Sequence, residues 1–346
     1  MLAKQFGGAE RHCVDLVAGL TERGHPTTVI LQPDAGSSRH FSRCDQQLLR
    51  LEVVRVRGNW DWYAKRKVRN LLRRCQPDVV HTHLARASHI AAPQAKREGI
   101  PTITNSHNYI ALKYYADVDH FVVPTSRQFH YLSDQQIAPS RLHEIPHFSP
   151  LAVQDPKGVV DGPLHMVSLG RFVEKKGYDL LLRAFAALVH EGLDARLSLA
   201  GDGEQKRTLR DLAETLSIAQ HVEFCGWIDN VAEFVRGGDL FILPSRDEPF
   251  GIVVLEAMAC GIPIVTTNTH GPSEILSSEN AYFAASDDFD SLLVAMKSAC
   301  RDPAARSERA RNAAALFTSR YSADVVVPRY ISLYEKMCKN AQDTTR

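Results

Sequence analysis

The chain has 346 residues, 44% apolar and 23% charged, which predicts two domains of ordinary globular composition and excludes a disordered or collagen-like chain. Its formal net charge of +1 hides an asymmetry: residues 1–150 carry 20 Lys and Arg against 13 Asp and Glu, and the remainder carries 21 against 27. A first half that faces something anionic and ordinary surface variation both fit that split. In chain order, Ala9–Arg23 predicts an amphipathic helix with Val14, Leu16, Val17 and Leu20 inward and Gly24 as its stop. Short strands follow at Thr27–Leu31, Leu51–Val56, Asp78–His83, Thr102–Asn105 and His120–Val123. The composition then changes over Pro146–Gly162, which reads as a linker. A second alternating set comes next: strand Leu164–Leu169, helix Tyr178–Glu191, strand Arg196–Ala200, helix Glu204–Leu216 and strand Val222–Phe224. A short helix near Val231, strand Leu240–Leu243, helix Ile252–Cys260 and strand Ile264–Thr266 complete it, and Pro303–Lys339 is helical.

Strands alternating with helices predict an α/β fold of doubly wound, Rossmann-like domains. The expected division is 1–150 for the first domain, 151–163 for the linker and 164–320 for the second. Residues 321–346 form a C-terminal helix with no strand to follow, for which packing back on the first domain is one arrangement. The seven cysteines are scattered, odd in number and without Cys-x-x-Cys, which argues against a disulfide framework or zinc site. No signal-peptide pattern opens the sequence, and no run of 18 apolar residues is present. The expected location is cytoplasmic, with room for a peripheral place on the inner face of the cytoplasmic membrane.

Two segments carry chemistry. In Ser168–Gly177 (SLGRFVEKKG) a strand ends, Arg171 and Lys176 follow, and a helix starts near Tyr178. A guanidinium, an ammonium and a helix N-terminus together suit a diphosphate, although two solvated surface cations read equally well from this segment alone. In Ser245–Gly261 (SRDEPFGIVVLEAMACG), Glu248 follows a strand, Phe250 and Gly251 open a helix whose first N–H groups can face an anion, and Glu256 lies one turn beyond Ile252. An acid inside so apolar a helix needs a polar partner; a ribose diol and a buried Arg are the two candidates.

Arg171-x4-Lys176 with Glu248-x7-Glu256 resembles the signature of the retaining glycosyltransferases of family 4 (group 1), which have the GT-B fold, two Rossmann-like domains facing a central cleft. The resemblance continues through Gly201-Asp-Gly203, Gly226-Trp-Ile-Asp-Asn230, Leu243-Pro-Ser245 and Gly271-Pro-Ser-Glu274. It implies transfer of a hexose-type sugar from a UDP- or GDP-linked donor to a glycan or lipid-linked acceptor, in cell-envelope polysaccharide or lipopolysaccharide synthesis. It implies that Arg171 and Lys176 hold the diphosphate and neutralise the leaving nucleotide, that Glu256 binds the ribose, and that Glu248 contacts the transferred sugar. Phe250, Gly251 and Ile252 would support phosphate or sugar, Trp227 and Ile228 would flank the base, and Gly201 and Gly203 would let backbone approach the nucleotide. In the first domain Gly7 and Gly8 resemble the family's glycine loop and His107 its active-site histidine; His83, Ser126 and Arg127 are weaker matches. The family's front-face attack, with the leaving phosphate taking the acceptor proton, calls for no metal and no cofactor beyond the substrate. No Asp-x-Asp follows a strand, and Asp287-Asp288 reads as a helix cap.

Three departures stand out. The family opens with an apolar strand before the glycine loop, where this sequence has only Met1–Phe6, so that strand is expected to be missing or short. His147-Phe-Ser-Pro150 stands in place of Asn-Gly-Val-Asp, and Thr269-His-Gly-Pro272 in place of a double glycine. Residues 50–74 hold nine Lys and Arg with two acids and with Trp60, Trp62 and Tyr63 interleaved, which fits either docking on an anionic membrane surface or a solvated basic helix. Nucleic-acid binding is not expected, since no recognised module accompanies the charge. A nucleotide-sugar-binding protein without transferase activity and a GT-B epimerase are the alternative readings.

Overall fold

The computed structural model describes residues 2, 7–33, 40–58, 60–158 and 162–344, with side chains through 340. Apart from Leu2, the segment Met1–Phe6, where a shortened strand is expected, lies outside the described residues. The chain forms two compact units, Met1–Pro150 with Ala323–Arg346, and Leu151–Ser322.

The first unit contains helix α1 (Gly8–Thr21), strands β1 (Thr27–Leu31) and β2 (Leu49–Val53), α2 (Trp62–Cys75), β3 (Val80–His83) and α3 (Leu84–Arg97). It continues with β4 (Thr102–Asn105), β5 (His120–Val123), α4 (Ser126–Asp134) and β6 (Leu142–Glu144). All its strand pairs are parallel, in a two-stranded sheet β1-β2 and a four-stranded sheet β3-β4-β5-β6. Alternate residues of β5 face opposite ways: Phe121 and Val123 pack with Leu132 of α4 and Ala92 of α3, whereas Val122 packs with Leu16 and Leu20 of α1. The expected strand Leu51–Val56 is corrected to Leu49–Val53. Pairing with β1 starts at Thr27 opposite Leu49, and Val54 and Val56 continue into the core after the ladder ends.

The second unit runs β7 (Leu164–Leu169), α5 (Tyr178–His190), β8 (Ala195–Ala200), α6 (Lys206–Thr215), β9 (Val222–Gly226), α7 (Val231–Gly237) and β10 (Leu240–Leu243). It closes with α8 (Ile252–Ala259), β11 (Ile264–Thr267), α9 (His270–Ile275), β12 (Tyr282–Ala284), α10 (Phe289–Arg301) and α11 (Pro303–Arg320). Asp288 caps α10 by accepting from the Ser291 N–H. The sheet is parallel, in the order β12-β11-β10-β7-β8-β9. Two cores cover it. Met166, Leu240, Ile242 and Val265 point toward α5, α6 and α10, while Val167, Phe241, Leu243 and Ile264 point toward α7, α8 and α11. The strands are buried on both faces, which is why they read as continuous apolar runs.

The last helix, α12 (Ala323–Thr344), belongs to the first unit. Its Val326, Val327 and Tyr330 pack with Leu16 and Leu20 of α1. Gly19 makes that approach possible, since a Cβ there would stand 2.6 Å from Val327.

Candidate active site

In the second unit the chain leaves β7 and turns one way to β8, then leaves β10 and turns the other way to β11. The crevice at the carboxyl ends of β7 and β10 is therefore the topological switch point of the sheet, where doubly wound folds bind ligands. The Arg171–Lys176 loop follows β7 and the Ser245–Gly251 loop follows β10, so the two sequence motifs come to one corner. Gly201–Gly203 follow β8, and Trp227 and Ile228 follow β9, on the same edge.

The two loops are tied together. Lys176 Nζ pairs with Glu248 Oε2, both side chains largely buried. The Arg246 and Asp247 N–H groups donate to the Lys175 carbonyl at 2.8 and 3.2 Å. Arg246 grips Asp179, in the first turn of α5, at 2.7 and 2.8 Å, and also meets Asp287 at 2.6 Å and the Glu174 carbonyl at 2.8 Å. Burial alone would raise the Asp179 carboxyl, but the bidentate guanidinium overrides it and holds it below its ordinary value. Arg171 is exposed and makes no ion pair among the described residues, so its charge faces outward at the corner.

Glycines set the backbone here. Gly177, at φ +66°, starts α5, and a Cβ on it would lie 2.1 Å from the Pro244 carbonyl oxygen. Gly251, at φ +92°, starts α8, whose first N–H groups open at this corner. Phe250 is buried in the core, with its backbone against Gly271, where a Cβ would stand 2.2 Å from the Phe250 carbonyl oxygen. Gly271 N–H donates to the Glu248 carbonyl at 2.9 Å. Gly201 and Gly203 have a reason nearer than a ligand: Cβ atoms there would lie 1.9 Å from the Gly170 carbonyl oxygen and 2.4 Å from that of Phe172. They seat the β8 loop against the β7 loop. Glu256 is 2% exposed in the otherwise apolar α8, Ile252 is half-buried, and Trp227 is 59% exposed beside half-buried Ile228.

In the first unit Gly7 caps α1 and donates its N–H to Glu10 at 3.0 Å, and Gly8 is the first residue of the helix. His107 follows β4, is 9% exposed and hydrogen-bonds to His83 (Nε2 to Nδ1, 3.0 Å). It lines a cavity of about 560 Å³ together with Leu84, Asn108, Tyr109 and Tyr114. Sequence reasoning missed what lies behind it. His12, His81, His83, His107 and His147 form one array, with ring centroids 4.6 Å apart for His81 and His83, 5.3 Å for His83 and His107, 5.0 Å for His107 and His147, and 4.3 Å for His147 and His12. Asn105 binds two of its members, His81 Nε2 at 2.9 Å and His12 Nε2 at 2.9 Å, and donates to the Tyr330 hydroxyl at 2.8 Å; Tyr334 meets His81 Nδ1 at 2.6 Å. Burial first, and then neighbouring imidazoles, holds His12, His83 and His107 well below the ordinary histidine value; burial takes His81 to about 4 and His147 to about 3. All five are neutral at pH 7. The pair His81-x-His83 at the end of β3 was the sequence signal of it. Among the described residues, no group of three or more His, Cys, Asp or Glu is placed to hold a metal ion.

Trp60, Trp62 and Tyr63 are exposed at the start of α2, while Ala64, Val68, Leu71 and Leu72 of that helix are buried. Of the nine cations in this stretch, Arg50 and Arg74 pair with Glu52, and Arg69 and Arg73 with Glu98, so the basic face is narrower than the count suggests. Among the described residues no helix is long and apolar enough to cross a membrane.

Residues 153–316 match the profile described as "Glycosyl transferases group 1", and residues 6–151 match "Glycosyltransferase Family 4". The chain is 30% identical over 339 residues to the lipopolysaccharide core biosynthesis glycosyltransferase LpsE of Rhizobium meliloti, covering 94% of this chain and 95% of that one. It is 27% identical over 341 residues to LpsD of the same organism, which has the same description. Among solved structures, HepE of Anabaena in complex with UDP and glucose superposes with a TM-score of 0.82 at 17% identity, over 97% of this chain and 98% of that one. The lipopolysaccharide outer core galactosyltransferase WaaB, in its apo form, superposes at 0.69 with 16% identity, over 100% and 98%.

Proposed function

Because the chain belongs to the family 4, group 1 glycosyltransferases and has the GT-B fold, we propose that it moves a hexose-type sugar from a UDP- or GDP-linked donor to a glycan or lipid-linked acceptor, with retention at the anomeric carbon. Lipopolysaccharide core synthesis is the pathway this reading favours, since LpsE and LpsD, matched over nearly their whole length, are described by it.

The observation that carries the reading is the corner at the sheet's switch point, where the outward-facing Arg171, Lys176 and the start of α8 converge. Arg171 and Lys176 bind the diphosphate and stabilise the charge that grows as the C1–O bond to phosphate breaks. A diphosphate here competes with Glu248 for Lys176, which frees the Glu248 carboxylate for a sugar hydroxyl. Glu256 holds the ribose diol, and exposed Trp227 with Ile228 flanks the base. Gly7, Gly8, the Phe250–Gly251–Ile252 backbone and the β8 loop with Gly201 and Gly203 complete the donor contacts. His107 contacts the transferred sugar, its neutral ring presenting one nitrogen as donor or acceptor. The acceptor oxygen attacks the anomeric carbon on the face from which the diphosphate leaves, and a departing phosphate oxygen takes its proton. The cations of the step are side chains, so the reading calls for no metal and no cofactor.

The acceptor is proposed to be lipid-linked, met at a membrane surface through Trp60, Trp62 and Tyr63 with the unpaired cations of α2, in the cytoplasm. Nucleotide release should appear with one class of a UDP-, GDP- and ADP-sugar panel, and the anomeric proton coupling of the product should match that of the donor. An inverted product would refute the retaining step, and no release from any donor would refute the assignment.

A further inference from the structure

Strand β3 ends on two residues that break local rules. His83 is the N-cap of α3, at φ −120° and ψ 127°, yet its side chain caps no N–H of that helix. Ser, Thr, Asp and Asn are the residues that do so. Leu84, the first residue of α3, stands at φ +70°, in the left-handed region that a bulky side chain enters only under strain. Such a backbone persists where its surroundings over-determine it. Here a buried hydroxyl cluster does so. Thr82 Oγ1 meets Ser88 Oγ at 2.8 Å, Ser88 Oγ meets Thr104 Oγ1 at 3.1 Å, and the Thr104 hydroxyl donates to the Thr82 carbonyl at 3.1 Å. The cluster ties the start of α3 to β3 and β4, which pair in the register that sets His83 opposite Asn105.

The elbow aims the His83 ring at the loop after β4. His83 Nδ1 lies 3.0 Å from His107 Nε2. The rings of His81, His83, His107 and His147 form a column of nearly parallel planes, at successive angles of 20°, 27° and 21°. One end of the column is pinned, because both nitrogens of His81 are bonded, Nδ1 to Tyr334 and Nε2 to Asn105. Of the five rings of the array, His107 is the one that lines the cavity of about 560 Å³. Among the described residues its Nδ1 has no hydrogen-bond partner, while its Nε2 is taken by His83. A neutral imidazole has one donor and one acceptor nitrogen, so the bond at one fixes what the other presents.

We infer that His83 is a positioning residue of the transfer reaction: it holds His107 by Nε2, so that Nδ1 is the nitrogen His107 turns to a hydroxyl of the transferred sugar. The inference rests on the reading of His107 as a sugar contact and adds the group that orients its ring. His83 sits behind His107 and touches no substrate. A displacement of about 1 Å in a group that meets the reacting sugar costs up to about 100-fold in rate. Nucleotide affinity, which the proposal places on the second unit, is not affected.

The test uses His83→Asn, His83→Gln, His107→Ala and the His83→Gln/His107→Ala double variant, each checked for folding by thermal melting. Turnover is read as nucleotide release from the donor that the UDP-, GDP- and ADP-sugar panel identifies. Asn and Gln bring the same amide into the same buried place, but only Asn sets it where Nδ1 of His83 stands. His83→Asn should rescue turnover to within about threefold of the parent, whereas His83→Gln should lower it about 30-fold or more at unchanged nucleotide affinity. In the His107→Ala background His83→Gln should cost less than about twofold further, since the ring it acts through is gone. Equal losses in the Asn and Gln variants, or losses at His83 and His107 that multiply, would overturn the positioning role and leave the His107 contact standing. Full turnover in His107→Ala would overturn both. One measurement needs no substitution: in the parent chain carrying isotope-labelled histidine, a coupling across the hydrogen bond should link His83 Nδ1 and His107 Nε2 at neutral pH, and its absence overturns the inference.

Discussion

The histidine array makes the first unit acid-sensitive. A histidine whose folded value is depressed binds its proton in the unfolded chain first, so its contribution is complete above the unfolded value near 6.5 and is lost as pH falls toward the folded value. The folded values are about 4 for His81 and about 3 for His147, and burial holds those of His12, His83 and His107 well down, so all five stay neutral at pH 5.5. From pH 7.5 to 5.5 each unfolded imidazole gains about 1.4 kcal/mol of proton binding that the folded one forgoes, for a combined loss of about 4–7 kcal/mol. Asp15 works in the other direction. Burial pushes its carboxyl up to about 6, which returns less than about 1 kcal/mol over the same interval, so the histidines decide the sign. A loss of that size is comparable with the whole stability of a domain. Urea unfolding followed at half-unit steps of pH should show stability falling with decreasing pH and an uptake of three to five protons on unfolding near pH 5.5. His147→Phe should remove about one proton from that count. A stability constant within about 1 kcal/mol from pH 7.5 to 5.5 would refute the reasoning.

Gly177→Ala forces a side chain into the left-handed region 2.1 Å from the Pro244 carbonyl oxygen and should destabilise the second unit by at least about 2 kcal/mol, read by urea unfolding. Arg246→Ala unties the β7 and β10 loops from Asp179 and Asp287 and should lower turnover about tenfold or more, read by steady-state kinetics with the donor that the UDP-, GDP- and ADP-sugar panel identifies. Glu256→Ala should weaken nucleotide affinity about 10- to 100-fold by calorimetry, whereas Glu248→Ala should mainly lower turnover at unchanged nucleotide affinity.

The strands of the second unit were legible because they are buried on both faces and read as apolar runs bounded by glycine and polar loops, and the loops that carry Arg171 and Glu248 follow from where those runs end. That these loops meet at one corner was not legible, since it depends on the strand order, with β10 beside β7 rather than beside β9. The role of Arg246 was not legible, because its partners, Asp179 and Asp287, lie 67 and 41 residues away. The histidine array escaped for the same reason: it draws one ring from α1, two from β3, one after β4 and one after β6, with Asn105, Tyr330 and Tyr334 between them. Gly201 and Gly203 were read toward a ligand, whereas the first demand on them comes from the backbone of Gly170 and Phe172. The displaced edge of β2 arose because Val54 and Val56 are as apolar as strand residues but serve the core after the pairing with β1 has ended.

The claim on which the account of catalysis rests is that the loop after β7 grips the donor's diphosphate. Isothermal titration of UDP and of GDP into the parent chain and into the Arg171→Ala/Lys176→Ala double variant, both first shown to be folded by circular dichroism, measures that grip. The account predicts binding of one of the two nucleotides by the parent and a loss of at least about 100-fold in the variant; an affinity unchanged by the double substitution would contradict it.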